Sequence, residues 1–352
     1  MEIPGFCKWL SKWPGEGGQP RLSRRTLIGS VAAGLLSAQE GEVSNFDLSL
    51  LDESTVPSEL FFIRDHFAAP KTSSAGWKLS VSGAVANPLE IAYEELSEQA
   101  RKILPATIEC AENPVGGGLV GHAEWTGVTL APILERARAS SDAGFVRLSG
   151  ADGFSRAIPL AKALHPDTLI AYAMNGEKLR ASHGHPLRAV IPGWYGMASI
   201  KWLQRVEVLT AEDASPDYVR RVRSLLTGTR PAGAITDMQV KSAFARPLDG
   251  AILTGRRFIV RGAAWAGENR VRQVEVSTDG AKSWQTARLS AEPLRYTWVQ
   301  WTLEWKIPGA GQYELAVRAS DDADRRQPAG RAPERADGYE MNSWQTVRVT
   351  VR

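Results

Sequence analysis

The residue with the clearest chemical potential is Cys110, which closes the segment Leu104-Pro105-Ala106-Thr107-Ile108-Glu109-Cys110. It is followed by Ala111-Glu112-Asn113-Pro114-Val115 and then by Gly116-Gly117-Gly118. The chain has two cysteines, and the other, Cys7, lies upstream of an apolar run in a leader-like stretch. With no partner for an intramolecular disulfide once that stretch is set aside, the Cys110 thiol is either a buried filler or a ligand. A soft thiolate suits a high-valent transition metal, which would itself keep the sulfur deprotonated. The glycines would let the backbone come close to a bulky cofactor. His183 and His185 stand in Ser182-His183-Gly184-His185-Pro186, a His-x-His spacing that can serve zinc or copper. No further histidine or cysteine is near them in sequence, and Pro186 marks a structured loop. His122 and His165 read as loop residues, and Asp152, in Ser149-Gly150-Ala151-Asp152-Gly153, as a turn aspartate or an acid facing a ligand.

Such residues need a framework, and 352 residues with 43% hydrophobic content are enough for about two domains of ordinary size. The net charge of +3, set by 42 basic and 39 acidic residues, gives no reason to expect a nucleic-acid or membrane-surface partner. Twelve tryptophans, several in strand-like stretches, point to β-rich cores. From Trp77 to Thr210, strand-like runs alternate with short helical ones. Trp77-Ser82, Phe145-Leu148, Leu169-Tyr172 and Arg188-Ile191 read as strands, Tyr93-Gln99 and Ala131-Ala137 as helices, and Asn175-Gly176 as a tight hairpin turn. The expected class there is α+β. Thr227 to Gly233 reads as a linker. Beyond it, Phe258-Gly262, Val271-Val276, Tyr313-Val317 and Trp344-Val351, with the Asp279-Gly280 turn, predict an antiparallel β-sandwich of immunoglobulin type.

The first 38 residues have a different character. Ser23-Arg24-Arg25 precedes an apolar run through Val31, Ala32, Ala33, Leu35 and Leu36. The run is about 13 residues, short of the roughly 20 that span a bilayer. It resembles a twin-arginine export signal, with a Sec signal or an uncleaved amphipathic tail as the other readings. The expected boundaries are therefore 1–38 for the signal, 39–232 for a first domain and 233–352 for a second. The expected location is the periplasm.

Three further segments join Cys110 in a family pattern: Phe61-Phe62-Ile63-Arg64-Asp65-His66, Ser182-His183-Gly184-His185-Pro186-Leu187-Arg188-Ala189-Val190-Ile191-Pro192-Gly193, and Ser199-Ile200-Lys201-Trp202-Leu203-Gln204-Arg205-Val206. In this order they resemble the molybdopterin-binding domain of the sulfite oxidase family. The carboxy-terminal part resembles that family's dimerisation domain through Val240-Lys241-Ser242-Ala243, Trp265-Ala266-Gly267, Val276-Ser277-Thr278-Asp279-Gly280 and Trp284. The resemblance implies a molybdenum–molybdopterin cofactor with Cys110 as thiolate ligand. It implies that Phe62, Ile63, Arg64, Asp65, His66, Asp152, His183, Arg188, Ser199, Ile200 and Lys201 hold the pterin and its phosphate. Arg188 would serve the phosphate as a fork and Lys201 as a point charge. Arg64 would also meet the substrate anion, and Tyr218 could stand for the family's active-site tyrosine, although its spacing fits poorly.

The implied activity is oxidation of sulfite, or a related oxyanion, to sulfate by oxo transfer. With no Cys-x-x-Cys-His haem motif and no iron–sulfur cysteine set in this sequence, the electrons would leave to an external protein such as a cytochrome c. A homodimer is implied through the second domain. The sequence departs from sulfite-oxidising members directly after the cysteine. Where they carry Ala-Gly-Asn-Arg-Arg, this chain has Ala111-Glu112-Asn113-Pro114-Val115, so two cations are absent and a carboxylate is added. At about 5 Å and an effective dielectric near 20, each lost charge pair is worth roughly 3 kcal/mol. Two alternatives therefore stand beside sulfite oxidation: reductive oxo transfer from a sulfoxide or nitrate on the same cofactor, and a secreted binding protein whose cofactor site is vestigial.

Overall fold

The structure, a computed structural model, describes residues 41–99, 101–210, 235–331 and 338–352. The expected export signal, the 227–233 linker and Tyr218 lie outside these residues. Residues 41–210 build two five-stranded sheets. In one, Glu177–Lys178, Leu169–Met174, Val120–Thr129 and Lys102–Glu109 follow one another, with Arg188–Val190 also pairing with Leu169–Met174. In the other the order is Leu89–Ala92, Lys78–Gly83, Leu203–Leu209, Phe145–Gly150 and Ser155–Pro159. Only the Lys78–Gly83 and Leu203–Leu209 strands of this second sheet run parallel.

The alternation that predicts strands holds where one face is buried. Leu79 and Val81 are inside in Lys78–Gly83, and Val146 and Leu148 in Phe145–Gly150. Asn175 and Gly176 adopt φ of 53° and 78° in the hairpin that returns Leu169–Met174 to Glu177–Lys178. Helices Tyr93–Glu98, Leu130–Ala137 and Leu160–Ala163 are short, and Leu130, Ile133, Leu134 and Ala137 bury one face of the second, so this half is more β-rich than alternation of strand and helix suggests.

Beyond residue 235 the described chain contains no α-helix. Lys241–Arg246, Arg257–Trp265, Val299–Lys306 and Arg288–Leu289 form one sheet. Ile252–Leu253, Gln345–Val351, Gly311–Asp321, Val271–Ser277 and Gln285–Thr286 form another. The two share a core in which Val260, Trp301 and Trp305 meet Val274, Leu315, Val317, Val347, Val349 and Val351. One pair departs from the antiparallel expectation: Ile252–Leu253 runs parallel to Gln345–Val351. Nearly the whole sandwich separates these two strands in the chain, and a connection that long permits parallel pairing.

A third core cluster mixes both halves. Phe61, Ile108 and Trp125 pack with Ile235, Met238, Trp265, Tyr296 and Trp298. The strand that leads into Cys110 therefore rests on a core to which the carboxy-terminal half contributes tryptophans.

Candidate functional site

Cys110 follows directly on the strand Lys102–Glu109, half-buried, where the chain turns. Its N–H donates to the Leu119 carbonyl (2.9 Å) and its own carbonyl accepts from Asn113 N–H (2.9 Å). Burial, followed by the nearby Glu112 carboxylate, pushes its thiol up to about 12. At neutral pH such a thiol stays protonated unless a metal cation takes the proton's place. The three glycines after it do not hold the backbone open. A Cβ on Gly118 would meet the Phe46 carbonyl oxygen at 1.9 Å, and Gly116 lies at φ +73° against the Gln345 side chain. The glycine run thus serves close contact between protein segments.

Beneath the turn lies a buried polar brace. Lys241 Nζ donates to Glu109 Oε1 (2.8 Å) and to the carbonyls of Asn113 (3.1 Å) and Pro114 (3.2 Å). Glu109 also accepts from Asn113 Nδ2 (2.9 Å) and Trp265 Nε1 (2.8 Å), and Asn113 Oδ1 accepts from Leu119 N–H (3.0 Å). Lys241 and Glu109 are 2% and 1% exposed, so almost no water competes with this network. In the sequence, Lys241 and Trp265 stand out only as marks of the second half. A lysine inside an apolar strand, Val240-Lys241-Ser242-Ala243-Phe244, was the signal that it must have a buried partner.

Arg64 lies beside Cys110, and its charge is taken up. Its Nε and Nη2 both reach Glu112 Oε2 at 3.0 Å, and its Nη1 donates to the Asp65 carbonyl (2.6 Å). The other Glu112 oxygen accepts from the Tyr339 hydroxyl at 3.3 Å. No local pattern in the sequence marks Tyr339 for this place, and Tyr218, the tyrosine the resemblance offers, lies outside the described residues.

The next residue, Asp65, turns the other way, into a cationic cradle. Lys201 Nζ donates to Asp65 Oδ1 (2.5 Å) and to the Ser182 carbonyl (2.6 Å). Burial, then Arg188, draws Lys201 down to about 8, and burial draws Arg188 to about 10. Arg188 is 4% exposed, lies over the Trp125 ring at 4.9 Å, and reaches the His183 carbonyl only at 3.4 Å. His183 Nε2 contacts the Ser58 carbonyl at 2.7 Å. A carbonyl only accepts, so Nε2 carries the proton and Nδ1 is a bare acceptor. Burial holds this ring near a pKa of about 4, hence neutral.

Three buried atoms of the cradle have no hydrogen-bond partner: Arg188 Nε, Asp65 Oδ2 and His183 Nδ1. An unsatisfied buried polar group costs about 1–3 kcal/mol, so one donor and two acceptors left together in one cluster fit a polar ligand with both donor and acceptor edges and an anionic end. A pterin carrying a phosphate has that character.

Asp152 sits at the rim, its Oδ1 accepting from Phe154 N–H (3.1 Å), its carboxyl raised first by burial and also by Asp65. His66 is exposed, packs on Phe154 at 5.1 Å, and is lowered by burial and then by Arg64. Phe62 stacks on Phe61 at 5.2 Å, and Phe61 meets both Trp125 and His183 edge-on. Ile63 pairs with Ser44 in a two-stranded ribbon. Ser199 Oγ accepts from Ile191 N–H (3.1 Å) and Ile200 lies in the core, so both side chains are committed to the protein itself. His185 Nδ1 is buried without a partner, and His183 Nε2 is already engaged. Among the described residues no group of three His, Cys, Asp or Glu side chains is placed to hold a metal ion by itself. His122, expected in a loop, is buried in the strand Val120–Thr129 against Thr107 Oγ1 (3.1 Å), and burial lowers it to about 4. Gly121, Glu124 and Gly127 break the alternation that would have revealed that strand.

The thiol and the cationic cradle, joined through the adjacent residues Arg64 and Asp65, fit a bound cofactor with an anionic end, and comparison with known proteins says of what kind. Residues 66–217 match the model of the oxidoreductase molybdopterin binding domain, and residues 232–352 that of the Mo-co oxidoreductase dimerisation domain. Sulfite oxidase of Gallus gallus is 33% identical over 322 residues, covering 81% of this chain and 70% of that protein. Nitrate reductase [NAD(P)H] of Hordeum vulgare is 29% identical over 348 residues, covering 84% of this chain and 39% of that one. The crystal structure of the sulfane dehydrogenase SoxCD from Paracoccus pantotrophus superposes with a TM-score of 0.75 at 26% identity, over 92% of this chain and 87% of that one. The chain belongs to the sulfite oxidase family of molybdopterin-dependent oxidoreductases. It spans 63% of the length of the human and mouse mitochondrial sulfite oxidases. No helix among the described residues is long and apolar enough to cross a membrane.

Proposed function

We propose that the chain is an exported enzyme that oxidises sulfite, or a related oxyanion, to sulfate and passes the electrons singly to an external cytochrome c. The observation that carries this reading is the pair of adjacent residues Arg64 and Asp65. Arg64 lies in the field of the Cys110 thiol and Asp65 is bonded to Lys201, so one short strand end joins a metal-binding sulfur to an anion cradle. Cys110 would hold the molybdenum. Arg188 and Lys201 would hold the phosphate, with Asp65 Oδ2 and His183 Nδ1 accepting hydrogen bonds from the pterin. The bound cofactor supplies two-electron oxygen-atom transfer, in which sulfite and water become sulfate, two protons and two electrons. The protein's share is to place the substrate beside the sulfur, to keep His183 neutral as an acceptor, and to hold two cations, Arg188 and Lys201, against the single carboxylate of Asp65 where the phosphate would bind.

The carboxy-terminal half would act as an immunoglobulin-like sandwich that pairs two copies of the chain. Export rests on Ser23-Arg24-Arg25 and the apolar run after it. One observation favours a second reading, reductive oxo transfer from an oxo compound such as nitrate: Arg64 is neutralised by Glu112, which weakens the attraction for a dianion.

Molybdenum analysis of protein purified from a host that makes the cofactor should find about one metal per chain, and metal-free folded protein would sink both readings. The Cys110→Ser variant should retain pterin and lose turnover. Sulfite oxidation with cytochrome c should exceed nitrate or sulfoxide reduction with a reduced viologen, and the reverse order would install the second reading.

A further inference from the structure

We propose that Glu112 is a specificity-determining residue: by occupying Arg64 it weakens the site's hold on doubly charged oxyanions relative to singly charged ones. The inference rests on the reading that Cys110 marks the reaction centre. Glu112 follows the thiol by two residues, in a turn closed by Asn113 N–H on the Cys110 carbonyl at 2.9 Å. Asn113 is itself tied to Glu109 and Lys241, so the carboxylate leaves from a fixed backbone position. Both donors on one edge of the Arg64 guanidinium converge on Glu112 Oε2, and a third donates to the Asp65 carbonyl. The Tyr339 hydroxyl holds Glu112 Oε1, so swinging the carboxylate aside breaks contacts to two residues.

An anion approaching Arg64 therefore meets a pair of zero net charge whose acceptor already fills the guanidinium edge. The pair is 29% and 38% exposed, which lets water screen part of the effect and sets its expected size at about tenfold in affinity rather than a hundredfold.

Titration calorimetry with sulfate on the molybdenum-loaded enzyme reads this without turnover. Glu112→Gln should bind sulfate about tenfold tighter than the parent and lower the KM for sulfite in similar proportion. Tyr339→Phe, which releases one carboxylate oxygen, should give a smaller tightening of about twofold. In the Arg64→Gln, Glu112→Gln double variant the gain should vanish. A folded Glu112→Gln protein with unchanged sulfate affinity would overturn the proposal, as would a gain that survives loss of Arg64. If Glu112→Gln does not fold, an unchanged sulfate affinity in Tyr339→Phe overturns it. Tighter sulfate binding in an enzyme that turns over no sulfite would leave the role of Glu112 standing and refute the assigned reaction.

Discussion

Lys241 and Lys201 are both drawn into the protein beside a carboxylate, Glu109 in one case and Asp65 in the other. Around Lys241 the protein supplies the partners: three acceptors surround the ammonium, three donors reach Glu109, and Asn113 closes the circle. Around Lys201 the set stops short, with Arg188 Nε, Asp65 Oδ2 and His183 Nδ1 left unpartnered at similar depth. Burial of charge alone does not mark a binding site, because a closed network locks the fold as a packed core does. An incomplete one carries an energetic cost that a ligand can relieve. The closed network also crosses the molecule. Lys241 and Trp265 come from the carboxy-terminal half and brace the turn after Cys110, which makes that half part of the site's foundation.

The sharpest way to break the contrast is Lys241→Met. It leaves Glu109 charged and buried without its counter-ion, at an expected cost of about 3–5 kcal/mol in urea unfolding. A loss under about 1 kcal/mol would mean the brace is not as closed as it looks.

Acid tests the open cluster. His183 and His122 are held neutral in the fold, each at about 4 against an ordinary 6.5. Between those values the unfolded chain binds more protons than the native one, so stability falls as pH drops from about 6.5 towards 4, by roughly 3 kcal/mol per histidine over the full shift. Unfolding curves at pH 7 and pH 4.5 should show the loss. His122→Phe should remove the part that arises away from the cradle, and His183 the part within it. A stability that stays flat over this range would contradict the buried, neutral assignment of both rings.

The smallest effect belongs to Lys201→Met. Lys201→Met also leaves Asp65 buried without its bonded cation, so some stability is lost, less than for Lys241→Met because Arg188 still faces that carboxylate. Retention of cofactor through dialysis should drop about tenfold, equivalent to about 1.4 kcal/mol. The parent should show a like loss above pH 8, where Lys201 gives up its proton. Equal retention in parent and variant would remove Lys201 from the phosphate site.

Much of this was legible in order along the chain. The unpaired Cys110, the Asn175-Gly176 hairpin and the strands of the second half follow from residue type and period-two alternation, which are local properties of a sequence, whereas Arg188 and Lys201 are picked out only by the family resemblance. The strand Val120–Thr129 was not legible, because two glycines and a buried His122 interrupt its pattern, nor was the packing role of the glycine loop against Phe46 and Gln345.

The sequence by itself determined which charges the site contains, the Glu112 carboxylate among them. Only the tertiary structure decided which of those charges remain available. Arg64 meets Glu112 across 48 residues, Lys241 meets Glu109 across 132, and Lys201 meets Asp65 across 136. A charge is written in the chain, but its neutralisation depends on distances that long-range packing sets, and those leave the Lys201 cradle open and the Lys241 brace closed.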